Sequence, residues 1–232
     1  MHDYVIPESV KERAIRRKGR LHAIEAIDAV RAALVVVDMQ NIFVGEGFPV
    51  EIPVSREIVP NINRTAAAVR AAGGRVIWIQ TTATGAMECW SNHFNYLLTS
   101  RNAGQRLTGL SEDSEGFKLY PGLDVLPADI RVKKITYSAM IPDTSNLNQV
   151  LAQNCLDTLL ITGTATNVCC ESTARDASMF NYRVIMLSDG NAAATAEEHA
   201  GTLNNFQIFF GDVMTTDEAI ARLAPVAARK TA

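Results

Sequence analysis

The chain has 232 residues, 47% hydrophobic and 20% charged, enough for a sizeable core and ordinary for a soluble globular protein. Its formal charge of −3 offers no long-range attraction to nucleic acid or to an anionic membrane surface. No apolar run approaches ~18 residues, so no transmembrane helix is expected. The four cysteines, Cys89, Cys155, Cys169 and Cys170, show neither a disulfide framework nor a CxxC pair. Adjacent Cys169 and Cys170 would bridge only with strain, and reduced thiols in a cytoplasm are the expectation.

In chain order, residues 1–31 are charged rather than apolar, which argues against a secretion signal. They read as an N-terminal helical extension, with an amphipathic helix over 7–31, ahead of a single domain over 32–232. Ala33 to Asp38 predicts a strand, and Ile62 to Ala72 a helix closed by Gly73-Gly74. Arg75 to Gln80 is a second strand. Residues 81–128 lack clean periodicity and read as a long excursion with short helices, of the kind that borders a site or an interface. Ile130 to Lys134 is a third strand and Asn146 to Gln153 a helix. Thr158 to Gly163 is a fourth strand, followed by a helix over roughly Cys169 to Phe180. Arg183 to Ser188 is the fifth strand, Thr195 to Asn205 a helix, Ile208 to Phe210 a sixth strand, and Thr216 to Leu223 the last helix.

Continuous apolar strands alternating with helices describe a parallel sheet buried on both faces. Right-handed crossovers place helices on each side, and ligands bind beyond the carboxyl ends of the strands. Three such ends carry capable side chains: Asp38, Lys134 and, just past the fourth strand, Cys169. Each alone has a plain structural role open to it. A strand-end carboxylate often caps or pairs, a strand-end lysine points to solvent, and a free cysteine packs as a small hydrophobe. Together they supply a base, a cation and a nucleophile. On the turn from Thr162 through Cys169, unpaired helix-start amides lower a thiol's pKa and can receive an oxyanion. Cys170, about 100° further round the helix, is expected to pack inward. Lys133 alternates to the opposite face from Lys134.

Three segments resemble the isochorismatase-like cysteine hydrolases, a family that includes nicotinamidases, N-carbamoylsarcosine amidohydrolase and ureidoacrylate amidohydrolase. They are Ala33-Leu34-Val35-Val36-Val37-Asp38-Met39-Gln40-Asn41, Lys134-Ile135-Thr136-Tyr137-Ser138-Ala139-Met140, and Thr164-Ala165-Thr166-Asn167-Val168-Cys169 with Ser172-Thr173-Ala174-Arg175-Asp176-Ala177. Met140 stands where the family usually has an aromatic residue. The resemblance implies a three-layer α/β/α, Rossmann-like fold with a six-stranded, mainly parallel sheet. It implies Asp38 as base, Lys134 as cationic support, Cys169 as nucleophile, and a cis peptide between Thr164 and Ala165. The Ala165 and Cys169 N–H groups would then form an oxyanion hole.

The nicotinamidases carry an Asp-x-His metal motif after the second strand. Here that position reads Gln80-Thr81-Thr82-Ala83-Thr84-Gly85, and His93, His2, His22 and His199 form no cluster. No metal and no cofactor are expected. The Trp78-Ile79-Gln80 strand end and Phe209-Phe210-Gly211-Asp212-Val213 look closer to the ureidoacrylate and carbamoyl-amide branch. The expected activity is cleavage of a C–N bond in a small linear ureido or carbamoyl amide through a thioester, with release of ammonia. The alternatives are vinyl-ether hydrolysis of the isochorismatase type and a metal-free nicotinamidase-like amidase. Asn41, Gln80 and Tyr137 could hydrogen-bond the substrate, and Phe43 and Trp90 could wall the pocket. The expected partners are a small-molecule amide and other copies of the chain in a homodimer or homotetramer, with no nucleic acid and no membrane.

Overall fold

The central strands form on apolar, largely β-branched runs such as Ala32–Val37, and the longer helices where burial recurs every three or four positions, as in Val59–Ala71. The computed structural model describes residues 1–224. The strands are β1 (Ile27–Asp28), β2 (Ala32–Val37), β3 (Arg75–Thr81), β4 (Ile130–Lys134), β5 (Thr158–Thr164), β6 (Arg183–Ala192), β7 (Asp212–Met214) and β8 (Leu223–Ala224). The helices are α1 (Glu8–Lys18), α2 (Asn41–Val44), α3 (Val59–Ala71), α4 (Ala86–Cys89), α5 (Ser100–Gly109), α6 (Leu147–Gln153), α7 (Glu171–Met179), α8 (Ala196–Phe209) and α9 (Thr216–Ala221). The last eight residues of the 32–232 segment lie outside the described residues.

Six strands form one sheet in the order β4-β3-β2-β5-β6-β7, and every neighbouring pair runs parallel. β1 and β8 make a separate two-stranded parallel ribbon. Leu34, Val36, Trp78 and Leu160 pack one face of the sheet against Ile62, Ala66 and Val69 of α3 and Ala219 of α9. Val35, Val37, Ile79 and Ile161 pack the other face against Leu147 and Leu151 of α6, Ala174 of α7 and Phe206 of α8. Helices on both faces make three layers. The order of strand addition reverses between β2 and β5, which leaves the crevice where ligands bind in such sheets.

Two local devices shape that crevice. Gly163 in β5 pairs with Val37 at φ 118°, and a Cβ there would lie 2.0 Å from the Val37 carbonyl oxygen. Only glycine permits both the approach and the angle. Beside it the β5–β6 register shifts between Ile161 and Gly163, and Asn191 Nδ2 bridges the gap by donating to Ile161 O (2.8 Å) and Leu187 O (2.7 Å).

Two sequence expectations are corrected here. The N-terminal helix stops at Lys18 rather than near residue 31, because Gly19 takes a left-handed cap at φ 77°. The chain then runs extended, tied down by Ile24 N–H and Lys18 Nζ on the Asp212 carboxylate (2.7 and 2.8 Å). The expected strand at Ile208–Phe210 is instead the end of α8. Thr195 and Glu198 start that helix with a reciprocal capping box, and Leu203, Phe206 and Gln207 bury one face of it. Helical periodicity overrides the local β preference of Ile-Phe-Phe, and the sixth strand begins at Asp212.

Gly163→Ala should cost at least about 2 kcal/mol through the clash with Val37. For a chain of this size that lowers Tm by roughly 4–8 °C, readable by calorimetry. An unchanged Tm would show that β2 and β5 can separate freely.

Candidate active site

Asp38 follows β2 with φ 54°, a left-handed conformation that aspartate tolerates better than most residues. Its N–H still donates to Ile79 O (3.1 Å), so the chain turns while remaining attached to β3. Lys134 ends β4 with no exposed surface, and its ammonium lies 2.7 Å from Asp38 Oδ2. The same ammonium donates to Thr81 Oγ1 (2.6 Å), Thr136 O (3.2 Å) and Cys169 Sγ (3.4 Å). The Thr81 hydroxyl in turn donates a hydrogen bond to Asp38 Oδ1 (2.9 Å). Two charges buried this deeply are tolerable only with such pairing. Asp38, Lys134 and Cys169 thus meet within hydrogen-bonding reach of one ammonium.

Thr81 owes its place to β3–β4 register, in which it sits opposite Lys134. Gln40 locks it from the other side. Its Oε1 accepts from Thr81 N–H (2.7 Å), and its Nε2 donates to Thr81 O and to Phe117 O (both 3.0 Å). The side chain thereby stands in for an adjoining strand where the β2 backbone has turned away.

Cys169 lies on a single π-helical turn, Thr166–Cys170, between β5 and α7. Wider turns of this kind recur at functional sites. The expected α-helix begins only at Glu171. The peptide bond between Thr164 and Ala165 is cis. Thr164 Oγ1 accepts from Ser55 (3.0 Å) and donates to Ala192 O (3.3 Å), and Thr166 Oγ1 bonds His199 Nδ1 (2.8 Å). Burial pushes His199 down to about 4, so its ring is neutral near pH 7. Cys170 is fully buried with its sulfur toward Thr162 O, and Lys133 is exposed and paired with Glu112.

The Cys169 thiol is pushed up to about 12, first by burial and then by the Asp38 carboxylate; the Lys134 charge opposes both but does not outweigh them. The sequence pointed to a lowered thiol pKa, and the structure reverses that, because exclusion of water and the adjacent anion are stronger than turn amides and one ammonium. Burial would drive Lys134 down, yet the Asp38 carboxylate, helped by the Cys169 sulfur, holds it above the usual lysine range. The ground state is a thiol beside a carboxylate–ammonium pair.

A cavity of about 170 Å³ opens on this cluster, lined by Asp38, Cys169, Ala165, Phe43 and Tyr137. Thr164, Val168, Val50, Ile52 and Arg106 complete its wall. It falls below the usual volume for drug-sized ligands, so it suits a small molecule. A wider surface depression of about 630 Å³, lined by Thr82, Glu112 and Lys133, contains none of the three clustered residues. Of the five residues expected to contact substrate, Phe43 and Tyr137 line the cavity. The other three do not. Asn41 Nδ2 donates to Glu115 O (2.9 Å) and Gln80 Nε2 to Phe117 O (2.9 Å). Trp90 stacks on His93 (centroids 3.9 Å apart) and meets the Tyr137 ring edge-on at 4.7 Å, backing the wall instead of forming it. Thr81, Gln40 and Arg106 were missed. Strand register could have found Thr81, whereas Arg106 lies in the stretch without periodicity. Among the described residues, no group of three His, Cys, Asp or Glu side chains is arranged to hold a metal ion.

The isochorismatase domain profile matches residues 32–218. The chain belongs to the isochorismatase family. It is 33% identical over 217 residues to ureidoacrylate amidohydrolase RutB of Variovorax paradoxus (strain S110), covering 88% of this chain and 85% of that one. It is 31% identical to the RutB of Klebsiella pneumoniae subsp. pneumoniae, covering 86% and 91%. Among solved structures, a cysteine hydrolase from Pseudomonas syringae pv. phaseolicola 1448A superposes with a TM-score of 0.76 at 29% identity, covering 85% of this chain and 94% of that one. The N-carbamoylsarcosine amidase of Thermoplasma acidophilum shares the fold, with a TM-score of 0.62 at 22% identity over 81% and 97% of the two chains. This isochorismatase-family member is a hydrolase. None of its helices, among the described residues, is long and apolar enough to cross a membrane.

Two outcomes follow from the buried charges. Lys134→Met leaves the Asp38 carboxylate buried without a cation and should cost about 3–5 kcal/mol in denaturant unfolding; adding Asp38→Asn should recover most of that loss. The thiolate absorbance difference between the protein and Cys169→Ala should stay flat through about pH 8.5, where an unperturbed thiol ionises, and rise only in stronger alkali. A signal titrating near neutrality would mean that Lys134 prevails over burial.

Proposed function

We propose that this protein is a cysteine-dependent amidohydrolase that cleaves a C–N bond of a small ureido or carbamoyl compound through a thioester. The convergence of Asp38, Lys134 and Cys169 on one small cavity carries the reading. The likeness to ureidoacrylate amidohydrolases supports the choice of substrate class.

A thiol with a pKa about 12 does not wait as a free thiolate. Its proton passes to Asp38 as the sulfur attacks, so deprotonation and bond formation are coupled. Lys134, 3.4 Å from the sulfur, steadies the charge developing there. The substrate carbonyl carbon gains the C–S bond, and its oxygen takes the negative charge within reach of the Ala165 and Cys169 N–H groups. Asp38 returns the proton to the departing nitrogen, the C–N bond breaks, and ammonia or an amine leaves. Water then gives a proton to Asp38 and adds to the thioester. The C–S bond breaks, the sulfur recovers that proton, and the free acid is released. From a ureido substrate the acid is a carbamate, which loses carbon dioxide to give the second amine.

Ammonia release from a panel of ureidoacrylate, N-carbamoyl amino acids, biuret, maleamate and nicotinamide tests this directly. The ureido and carbamoyl members should react, and Cys169→Ser should lower kcat/KM by about 10⁴ or more. Acid-quenched mass spectra should show a covalent adduct on Cys169. Near-normal turnover by Cys169→Ser would end the proposal.

A further inference from the structure

We propose that Arg106 anchors a carboxylate on the substrate, so that the preferred substrates are ureido or carbamoyl compounds with an anionic end. This deepens the function proposed above and rests on it for the identity of the reacting end. Arg106 comes from α5 and lines the same cavity as Asp38 and Cys169. Among the described residues five arginines are half-buried, and four have their guanidinium committed. Arg56 donates to Val44 O and Glu51, Arg70 to Asp129, Arg175 to Glu171, and Arg222 to Glu218 O. Arg106 alone of the five has neither an ion pair nor a side-chain hydrogen bond among the described residues.

The charges in the cavity make that vacancy meaningful. Asp38 and Lys134 neutralise each other at 2.7 Å, and the thiol is uncharged. Arg106 therefore contributes the unbalanced charge. Its field reaches Tyr137, across the cavity wall, and His93 behind it. The remaining wall is largely apolar, with Phe43, Val50, Ile52 and Val168, and in such surroundings an anion is attracted far more strongly than in water. A guanidinium meets a carboxylate through two parallel N–H···O bonds, which fixes direction as well as position. In a space of about 170 Å³, a molecule whose carbonyl touches Cys169 has its far end close to the opposite wall. Anchoring that end at Arg106 presents the carbonyl to the sulfur in one orientation, which is how remote binding accelerates a reaction.

Alkylation tests this without turnover. Iodoacetate and iodoacetamide have nearly the same shape and differ in charge; each forms a C–S bond and expels iodide. Labelling of Cys169 by the two, followed by peptide mass spectrometry, gives a rate ratio, and exposed Cys89 in the same molecule gives the reference. Cys169 should favour iodoacetate relative to Cys89. Arg106→Gln should reduce that preference at least about tenfold, and Arg106→Lys should retain part of it. The matching substrate comparison pairs N-carbamoyl-β-alanine with its neutral primary amide: Arg106→Gln should lower the kcat/KM ratio of acid to amide by about tenfold or more, mainly through KM. Ratios within about twofold of the parent in Arg106→Gln overturn the assignment. So does labelling by neither reagent after prolonged incubation in mild alkali, where even a small thiolate fraction reacts, since a cavity closed to both cannot seat a substrate between sulfur and guanidinium. If the alkylation ratio behaves as expected but no ureido or carbamoyl compound yields ammonia, the proposed function fails while the anion site stands.

Discussion

The site depends on a carboxylate and an ammonium held in contact at almost fully buried positions. Asp38 and Lys134 come from strands on either side of β3, and Thr81 at the end of β3 bonds to both. An uncompensated charge at this depth would be prohibitive, so each residue is present only because the other is. That mutual requirement fixes the ends of three adjacent strands relative to one another. The sulfur of Cys169 then lies 3.4 Å from that ammonium, beside the ion pair.

Placing the base and cation this way also determines the state of the sulfur. A cysteine near a lysine would commonly be ionised, but here the Asp38 carboxylate also acts on the sulfur and burial penalises any added negative charge. The thiol therefore stays protonated, and in the proposed mechanism its proton leaves only as a carbonyl accepts the electrons. Selectivity would then arise from where the proton can go rather than from a permanently activated nucleophile.

Much of this was legible in the chain. The strands β2, β3, β5 and β6 announced themselves as apolar runs and β4 as an alternating edge strand, and the strand-end positions of Asp38 and Lys134 follow from that pattern. Side-chain alternation separates Lys133 from Lys134 and helical rotation separates Cys169 from Cys170, while the resemblance of the segments around Lys134 and Cys169 to the family selects between them. What failed to show was whatever depends on contacts distant in sequence. Ile208–Phe210 has strand propensity, yet α8 continues through most of it because its buried face is set by the layer beneath. Asn41 and Gln80 looked like ligands to an incoming molecule, but they satisfy backbone carbonyls of Glu115 and Phe117, residues with no recognisable local pattern. Arg106 was invisible for the same reason, since only the folded excursion brings α5 over the cavity.

The separation of the participating positions along the chain has a further consequence. Residues 38, 81, 134 and 169 meet only once β2, β3, β4 and β5 have all been laid side by side, with crossovers joining strands far apart in sequence. Such non-local pairing closes slowly and late. A chain in which any one of these four strands is unpaired lacks part of the cluster, so the arrangement exists only in the folded sheet and never in a local segment.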